Sequence, residues 1–411
     1  MITPAANANS AHAFCPICGD RAEGVFRTDR LPAEAHRLCH TREAARAVRR
    51  GPIDLRRCTS CDHGFNAAFD PALVTYDSAY HNPLHHSLAF QHFARQAAER
   101  IAALTDVTGS AAGPAVEIGC GDGWFTHHLA KATARDAIGT DPAITGASQS
   151  AAAPNASSPT ARVTLAPAST TSAALATASV MVARHVLEHI AQPTQWLADH
   201  AQHLPEGAGV YLETPAAESI WAPPHQHAAQ PWDLLYEHAH SFSVPSLAAI
   251  AWNAGLRVHD AGIAYAGQFA WVTAHRITAP KHAGTGFVAP TPPARTVEFD
   301  TALASVRAAL ASARRPVVWG AGTKAITMLN LVADAAESVA GVVDINPAKR
   351  GAFIPGVGTE IIGPAEIASI RPDLVVLANG MYRDEVAAEL GRLGCGAPIH
   401  TLVPGPDTLT A

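Results

Sequence analysis

Two Cys-x-x-Cys pairs are the residues whose chemistry is easiest to recognise in this sequence. Cys15-Pro-Ile-Cys18 and Cys58-Thr-Ser-Cys61 are separated by 39 residues. A two-residue gap lets both thiolates of a pair face one ion, and Zn²⁺ prefers four soft ligands in a tetrahedron. Two matched pairs leave no open coordination position, so the spacing predicts a structural Zn²⁺ site. The alternatives are a redox-active pair, unliganded thiols, or a mixed site that includes Cys39, His40 or His63.

A glycine-rich loop after an apolar strand is the second chemical feature. The strand ends in Glu117-Ile-Gly119, and the loop continues Cys120-Gly121-Asp-Gly123 before a helical segment. Glycines at alternate positions let the backbone approach a ligand where a Cβ atom would collide. The next strand ends in Asp141, and an acidic residue there suits the two hydroxyls of an adenosine ribose. This pattern predicts a nucleotide-type cofactor held by Glu117, the loop and Asp141.

The elements that must position these residues form an alternating pattern. Apolar residues recur every three or four positions from about residue 85 to Leu104, which predicts a helix. Strand and helix patterns then alternate, as in a doubly wound parallel sheet. Residues 1–70 are predicted to be loop-rich around the metal, and residues 145–178, rich in Ala, Ser, Thr and Pro, to be weakly structured. Residues 276–296 are rich in Pro and Gly and indicate a linker.

The glycine loop resembles the first motif of the class I S-adenosylmethionine-dependent methyltransferases, an acidic residue followed by G-C-G-x-G. The segment Arg184-His-Val-Leu-Glu-His-Ile190, after an apolar strand, resembles the fourth-strand region of the same family. The resemblance implies S-adenosylmethionine as cofactor, with Arg184 and His185 beside it. A dinucleotide fingerprint fits less well, because its glycines are spaced G-x-G-x-x-G. The acidic residue that the family often carries after the third strand is missing from residues 163–170.

The order of the units resembles one subgroup more closely. Nucleotide-sugar C-methyltransferases, which methylate a carbon next to a ketone on a dTDP-linked deoxysugar, have the same three parts. The resemblance covers nearly the whole chain and implies a zinc-binding module over residues 1–84, a methyltransferase domain over 85–277 and a C-terminal Rossmann-like substrate-binding domain over 278–411. The expected fold class is α/β, with a central Rossmann-like class I methyltransferase sheet between these two smaller units.

Candidate active-site residues come from the same resemblance. Tyr76-Asp-Ser-Ala-Tyr80 resembles the tyrosine-containing segment that leads into the active site of that subgroup. The segment that contains Tyr236-Glu237-His238 resembles its Tyr/Glu/His catalytic segment. His185 falls where the subgroup has another active-site histidine.

Methylation of carbon requires a base that removes a proton next to a carbonyl, and hydrogen-bond donors for the enolate oxygen. His238 is the preferred base, because neutral imidazole is basic at pH 7. Glu237 either orients this imidazole or is itself the base. Tyr76, Tyr80 and Tyr236 are predicted to donate to the enolate oxygen or to substrate hydroxyls.

The C-terminal unit carries a second strand, glycine turn and helix, preceded by a helix near residues 299–313. Trp319-Gly-Ala-Gly-Thr-Lys324 and Tyr382-Arg383-Asp-Glu385 resemble blocks of the sugar-modifying subgroup. The resemblance implies that this unit holds a nucleotide-sugar, with Lys324 suited to a diphosphate as a point charge. Tyr382 and Arg383 are further candidate substrate ligands. The alternative is a scaffold whose loop binds nothing, and residues 377–381 depart from the aromatic segment that the subgroup tends to have.

Length and composition limit the remaining possibilities. The chain has 411 residues, 48% of them apolar and 16% charged, with a net charge of −6. It is long enough for two or three domains, and the charge balance argues against nucleic-acid or membrane partners. The sequence starts without a signal-peptide pattern and has no long apolar run, so we expect a soluble cytoplasmic protein acting on a small molecule. Two alternatives stay open: an O- or N-methyltransferase of another small secondary metabolite, and a zinc- and S-adenosylmethionine-binding regulatory or RNA-binding module.

Overall fold

The strands of this chain form three sheets. The computed structural model describes residues 13–76, 83–105, 112–145, 149–152, 161–221, 231–277 and 299–402. Within these ranges, a five-stranded N-terminal sheet, an eight-stranded central sheet and a five-stranded C-terminal sheet follow one another. This arrangement confirms the expected α/β class.

The N-terminal sheet is antiparallel and includes a strand from the middle of the chain. Its strands, in spatial order, are β1 (Ala13–Phe14), β2 (Arg21–Thr28), β3 (Ile53–Cys58), β4 (Gly64–Asn66) and β11 (His240–Ser241). Helix α1 (Arg42–Arg46) begins after Thr41, whose side chain accepts from the backbone N–H of Ala44. The predicted loops lie between these strands. The antiparallel sheet itself was not predicted, and its last strand comes from a distant segment of the chain.

The central sheet has a parallel core with antiparallel edges. Its strands, in spatial order, are β12 (Leu256–Ala264), β13 (Phe269–Arg276), β10 (Gly209–Pro215), β9 (Val180–Arg184), β5 (Ala115–Ile118), β6 (Ala137–Asp141), β8 (Arg162–Pro167) and β7 (Gln149–Ala152). Strands β10, β9, β5, β6 and β8 are parallel, and the remaining strands pair antiparallel. The chain order reverses between β5 and β9, and ligands of doubly wound sheets bind at such a switch point.

Helices cover the faces of this sheet. They are α2 (Leu88–Thr105), α3 (Trp124–Thr133), α4 (Thr171–Leu175), α5 (Pro193–Ala201), α6 (Ala217–Trp221) and α7 (Val244–Asn253). Helix α2 buries Phe93, Ala97, Ile101 and Leu104, the face predicted from the spacing. The segment expected to be weakly structured carries β7, β8 and α4. Its strands were not predicted, because Ala and Thr differ little in hydrophobicity and so produce no clear alternation of apolar and polar residues.

The C-terminal sheet is entirely parallel. Its strands, in spatial order, are β16 (Ile361–Ile362), β15 (Gly341–Val343), β14 (Pro316–Trp319), β17 (Leu374–Leu377) and β18 (Ile399–Thr401). Its helices are α8 (Phe299–Ala311), α9 (Thr323–Leu331), α10 (Ala333–Ala336), α11 (Ile367–Ile370) and α12 (Arg383–Arg392). The strand-turn-helix pattern after Pro316 therefore folds as the alternation predicts.

The N-terminal and C-terminal units share one hydrophobic core. Phe26 of β2 stacks on Phe299 of α8 with ring centroids 4.5 Å apart, and both side chains are buried. Trp221, Trp232 and Tyr236 join the same core from the central part of the chain. The two ends of the chain therefore pack together beside the central sheet. In the part of the chain described, no helix is long and apolar enough to cross a membrane.

Candidate functional site

The four predicted cysteines come together at one end of the N-terminal sheet. The Sγ atoms of Cys15 and Cys61 are 3.7 Å apart, those of Cys18 and Cys58 are 3.4 Å apart, and all four lie within 4.8 Å of one another. Zn–S bonds of 2.3 Å in a tetrahedron place sulfur atoms about 3.8 Å apart. The cluster therefore fits one tetrahedral ion.

Two of the alternative metal ligands, His63 and Cys39, have other partners in the protein. His63 is fully buried, with Nδ1 3.3 Å from the hydroxyl of Ser246 and Nε2 3.0 Å from Nδ1 of His240. Cys39 belongs to an isolated bridge with Phe353 in the C-terminal unit. The geometry thus favours a four-cysteine set over a mixed one.

The glycine loop makes a tight turn at the carboxyl end of β5. Gly119, Gly121 and Gly123 all have positive φ, at 74°, 55° and 80°. A Cβ on Gly119 would lie 2.5 Å from Val186, whereas a Cβ on Gly121 would meet no atom within 4 Å. Gly121 therefore leaves open space on the side where a cofactor can approach. Cys120 is buried behind the loop, close to Gly139 of β6.

Asp141 closes this turn from the end of β6. Its Oδ2 accepts from the backbone N–H of Gly121 at 2.9 Å, and its Oδ1 accepts from Ala143 N–H at 2.8 Å. The carboxylate is held at the loop, where a ribose would reach it.

Glu117 and Arg184 lie beneath the loop, both buried. The Glu117 carboxylate accepts from the Thr126 hydroxyl at 2.6 Å, and burial raises its pKa to about 7. The guanidinium of Arg184 pairs with Glu213 at 2.8 Å and lies 3.9 Å from the Phe125 ring centroid. Both side chains have buried partners within the protein. They lie under the glycine loop and do not face open space.

His185 follows Arg184 at the carboxyl end of β9 with a left-handed backbone, φ 55°. Its imidazole lies between two buried carboxylates, with Nε2 3.3 Å from Glu213 and Nδ1 3.6 Å from Glu188. Burial alone lowers the pKa of His185, but these carboxylates outweigh it and raise the pKa to about 8. The side chain is 26% exposed, so it faces the open end of the sheet.

His238 lies next to a second histidine and a tyrosine. Its ring centroid is 4.9 Å from that of His189, and the Tyr76 hydroxyl is 2.7 Å from Nδ1 of His189. Burial, together with the neighbouring imidazoles of His189 and His36, lowers the pKa of His238 well below its ordinary value. Burial also raises the pKa of Tyr76, which keeps the phenol protonated. The cluster combines a neutral imidazole with a hydroxyl donor. Tyr80 lies outside the described residues.

Glu237 and Tyr236 form hydrogen bonds with the N-terminal unit. The Glu237 carboxylate accepts from the backbone N–H of His36 at 3.3 Å, and burial raises its pKa to about 8. The Tyr236 ring is fully buried and its hydroxyl accepts from Asp70 N–H at 2.8 Å. Both side chains tie the candidate catalytic segment to the N-terminal unit.

The predicted phosphate ligands of the C-terminal unit have protein partners. Lys324 Nζ lies 2.6 Å from Asp233 and 3.1 Å from Gln268 Oε1. Arg383 is exposed and donates to the Thr401 hydroxyl, while the Tyr382 hydroxyl contacts that of Tyr265. Lys324 and Tyr382 both contact the turn between β12 and β13, through Gln268 and Tyr265, whereas Arg383 lies beside β18.

Family models match two stretches of the chain. A methyltransferase domain matches residues 90–261, which contain the glycine loop, Asp141 and the histidine cluster. The chain therefore contains an S-adenosylmethionine-dependent methyltransferase domain. A C-methyltransferase C-terminal domain matches residues 296–397, which contain four of the five strands of the C-terminal sheet. A search of curated proteins found no match.

Solved methyltransferase structures resemble part of this methyltransferase. The mitomycin 7-O-methyltransferase MmcR is 18% identical with a TM-score of 0.33, over 45% of this chain and 54% of that one, so the alignment spans about half of MmcR. A methyltransferase from Mesorhizobium loti is 16% identical with a TM-score of 0.32, over 44% and 100%. The magnesium protoporphyrin IX methyltransferase from Synechocystis PCC 6803 is 12% identical with a TM-score of 0.30, over 46% and 86%.

Three residues of the site were not predicted as ligands. Glu213 lies under His185, Glu188 lies beside it, and the His36 backbone holds Glu237. The sequence could have indicated Glu213, because a carboxylate in an otherwise apolar strand needs a buried cationic partner. No local pattern marks His36, because its contact is made across the fold.

Proposed function

We propose that this methyltransferase transfers a methyl group to a carbon next to a ketone, and that its substrate is a nucleotide-linked keto-deoxysugar. The observation that carries the proposal is the cluster of His238, His189 and Tyr76 beside the cofactor-binding end of the sheet. Carbon methylation needs a base and an oxygen-stabilising donor, and this cluster offers both. The C-terminal match to C-methyltransferases supports the same reaction class.

His238 is the base. Its half-buried imidazole is neutral, so it carries a lone pair that accepts the proton from the carbon next to the carbonyl. The C–H electron pair then moves toward the carbonyl oxygen and gives an enolate. Glu237 is mainly protonated at pH 7 and faces His36, which favours His238 over Glu237 for this role.

Tyr76 stabilises the enolate oxygen. Its phenol is protonated, and its hydroxyl lies 2.7 Å from His189 Nδ1, which fixes its position. A donor that is already in position stabilises the negative charge that develops on the oxygen in the transition state, and so lowers the activation barrier. When bound, S-adenosylmethionine supplies the electrophilic methyl group that is transferred to the enolate carbon. Gly121 and Asp141 would hold this cofactor at the glycine loop.

The four cysteines bind a structural Zn²⁺. The sulfur separations of 3.4 and 3.7 Å suit a tetrahedral Zn²⁺ with no open position. The ion fixes the end of β3, which pairs with β4, and β4 in turn pairs with β11, two residues after His238. Zinc therefore supports the candidate catalytic segment without taking part in the chemistry.

The test is solvent exchange at the carbon next to the ketone. A dTDP-4-keto-deoxysugar incubated with the enzyme in deuterated water should take up deuterium there, and should be methylated at that carbon when S-adenosylmethionine is added. His238→Asn should abolish both reactions, while His203→Asn, an exposed histidine, should leave them intact. Absence of exchange and of methyl transfer over a panel of keto sugars would refute the proposal. Methylation of oxygen or nitrogen would reassign the reaction.

A further inference from the structure

A carboxylate and two imidazoles meet beside the candidate base. One potential ligand atom from each of Glu188, His189 and His238 lies within 4.8 Å of the other two. Glu188 and His189 belong to a single 3-10 turn, Leu187–His189, after β9. Two imidazoles and one carboxylate are a ligand set that binds divalent transition metals and leaves coordination positions open.

The surroundings of His189 match those of a metal-binding histidine. Its Nδ1 lies 3.1 Å from the backbone oxygen of Glu237 and 2.7 Å from the Tyr76 hydroxyl. Histidines that bind metals usually donate the other ring N–H to a carbonyl or carboxylate. Donation from Nδ1 to the Glu237 carbonyl leaves the lone pair on Nε2, the tautomer that binds an ion.

Glu188 supplies the negative charge and a carboxylate oxygen. Its side chain is 2% exposed, and within the described residues its Oε2 has no hydrogen-bond partner. Its Oε1 lies 3.6 Å from His185 Nδ1. A buried carboxylate oxygen without a donor costs free energy, and a cation is the partner that would remove that cost.

We propose that Glu188, His189 and His238 form a second metal site, which takes a divalent transition ion such as Zn²⁺ and inhibits the enzyme when occupied. Zn–N bonds of about 2.1 Å in a tetrahedron require donor separations of about 3.4 Å, so side-chain movements of about an ångström complete the site. Binding uses the lone pair of His238 and thereby removes the base. This inhibitory effect rests on the proposed function, whereas metal binding itself does not.

Cobalt binding tests the site independently of activity. The full chain, carrying its cysteine-bound zinc, is titrated with Co²⁺ and followed by visible absorption. We expect one further ion per chain with weak d–d bands and no intense thiolate-to-cobalt band, displaced by added Zn²⁺. Glu188→Gln should weaken this binding about tenfold or more, while His203→Asn should not change it.

Several results would overturn the proposal. These are the absence of a further cobalt ion, a thiolate-type spectrum, or unchanged affinity in the Glu188→Gln protein. If that variant does not fold, paramagnetically shifted imidazole N–H resonances in the cobalt-loaded unmodified protein serve instead, and their absence rejects the site. Cobalt binding without inhibition of methyl transfer would reject the inhibitory role. Absence of exchange in enzyme that carries only its cysteine-bound zinc would reject the proposed function alone.

Discussion

The ammonium nitrogen of Lys324 lies 2.6 Å from Oδ1 of Asp233, and this ion pair joins helix α9 of the C-terminal unit to the segment that carries His238. The two side chains are only 12% and 14% exposed. Gln268 accepts from the same ammonium group at 3.1 Å. The lysine expected to bind a diphosphate therefore connects two parts of the protein.

Removal of this lysine should destabilise the fold. Lys324→Ala leaves Asp233 largely buried without its cation, and we expect the free energy of unfolding to fall by about 3 kcal/mol in urea denaturation. The double variant Lys324→Met/Asp233→Leu should recover most of this loss, because no unpaired charge remains. Equal losses in the single and double variants would contradict the ion-pair explanation.

Loss of the cysteine-bound metal should reduce both stability and activity. Cys58→Ser removes one ligand, and we expect less than one zinc per chain by elemental analysis, a lower melting temperature and slower methyl transfer. Cys395→Ser, in the C-terminal unit away from the cluster, is the matched control and should keep the metal. A Cys58→Ser protein with full zinc content would exclude this cysteine as a ligand.

The hydroxyl of Tyr76 should matter for chemistry, and that of Tyr236 for stability. Tyr76→Phe should lower kcat by about a hundredfold with little change in KM, because it removes a donor to the developing oxyanion. Tyr236→Phe loses its hydrogen bond to Asp70 and should cost about 1 kcal/mol of unfolding free energy, with kcat nearly unchanged. Steady-state kinetics and urea denaturation of both variants check this contrast, and the reverse pattern would refute it.

Glu117 should make the enzyme less stable as pH rises. Burial raises its pKa to about 7 from an ordinary value of 4.5, so the folded state holds a proton that the unfolded state releases. The contribution of Glu117 to stability is therefore complete below pH 4.5 and is lost as pH rises to about 7. At about 1.4 kcal/mol per pKa unit, the loss is about 3 kcal/mol.

Glu117→Gln isolates this effect. Its amide oxygen can still accept from Thr126 but does not ionise, so the variant should be more stable than the parent at pH 8 and about equal at pH 4.5. Urea denaturation at the two pH values measures the difference. A parallel pH dependence in both proteins would show that another group is responsible.

The sequence predicted those parts of the candidate sites whose residues are close together along the chain. The cysteine spacing predicted a cluster that the fold assembles, and the loop from Gly119 to Gly123 predicted the turn at the end of β5. Contacts across the fold were different. The pairing of Glu213 with Arg184 and the contact between Lys324 and Asp233 join residues far apart in sequence, so no local periodicity encodes them. The two-residue strand β11 is too short to produce a pattern.

The pairing of β11 with β4 has a consequence for synthesis of the chain. His240 pairs with Phe65 and Ser241 with Gly64, so the N-terminal sheet takes its last strand from a segment translated much later. Until that segment leaves the ribosome, β4 is an open edge with unsatisfied backbone groups, and the N-terminal sheet cannot complete its fold. The cysteine module and the segment that contains His238 therefore complete their folding together. A nascent chain terminated before Ser241 would expose the edge of β4, which is prone to association with other chains.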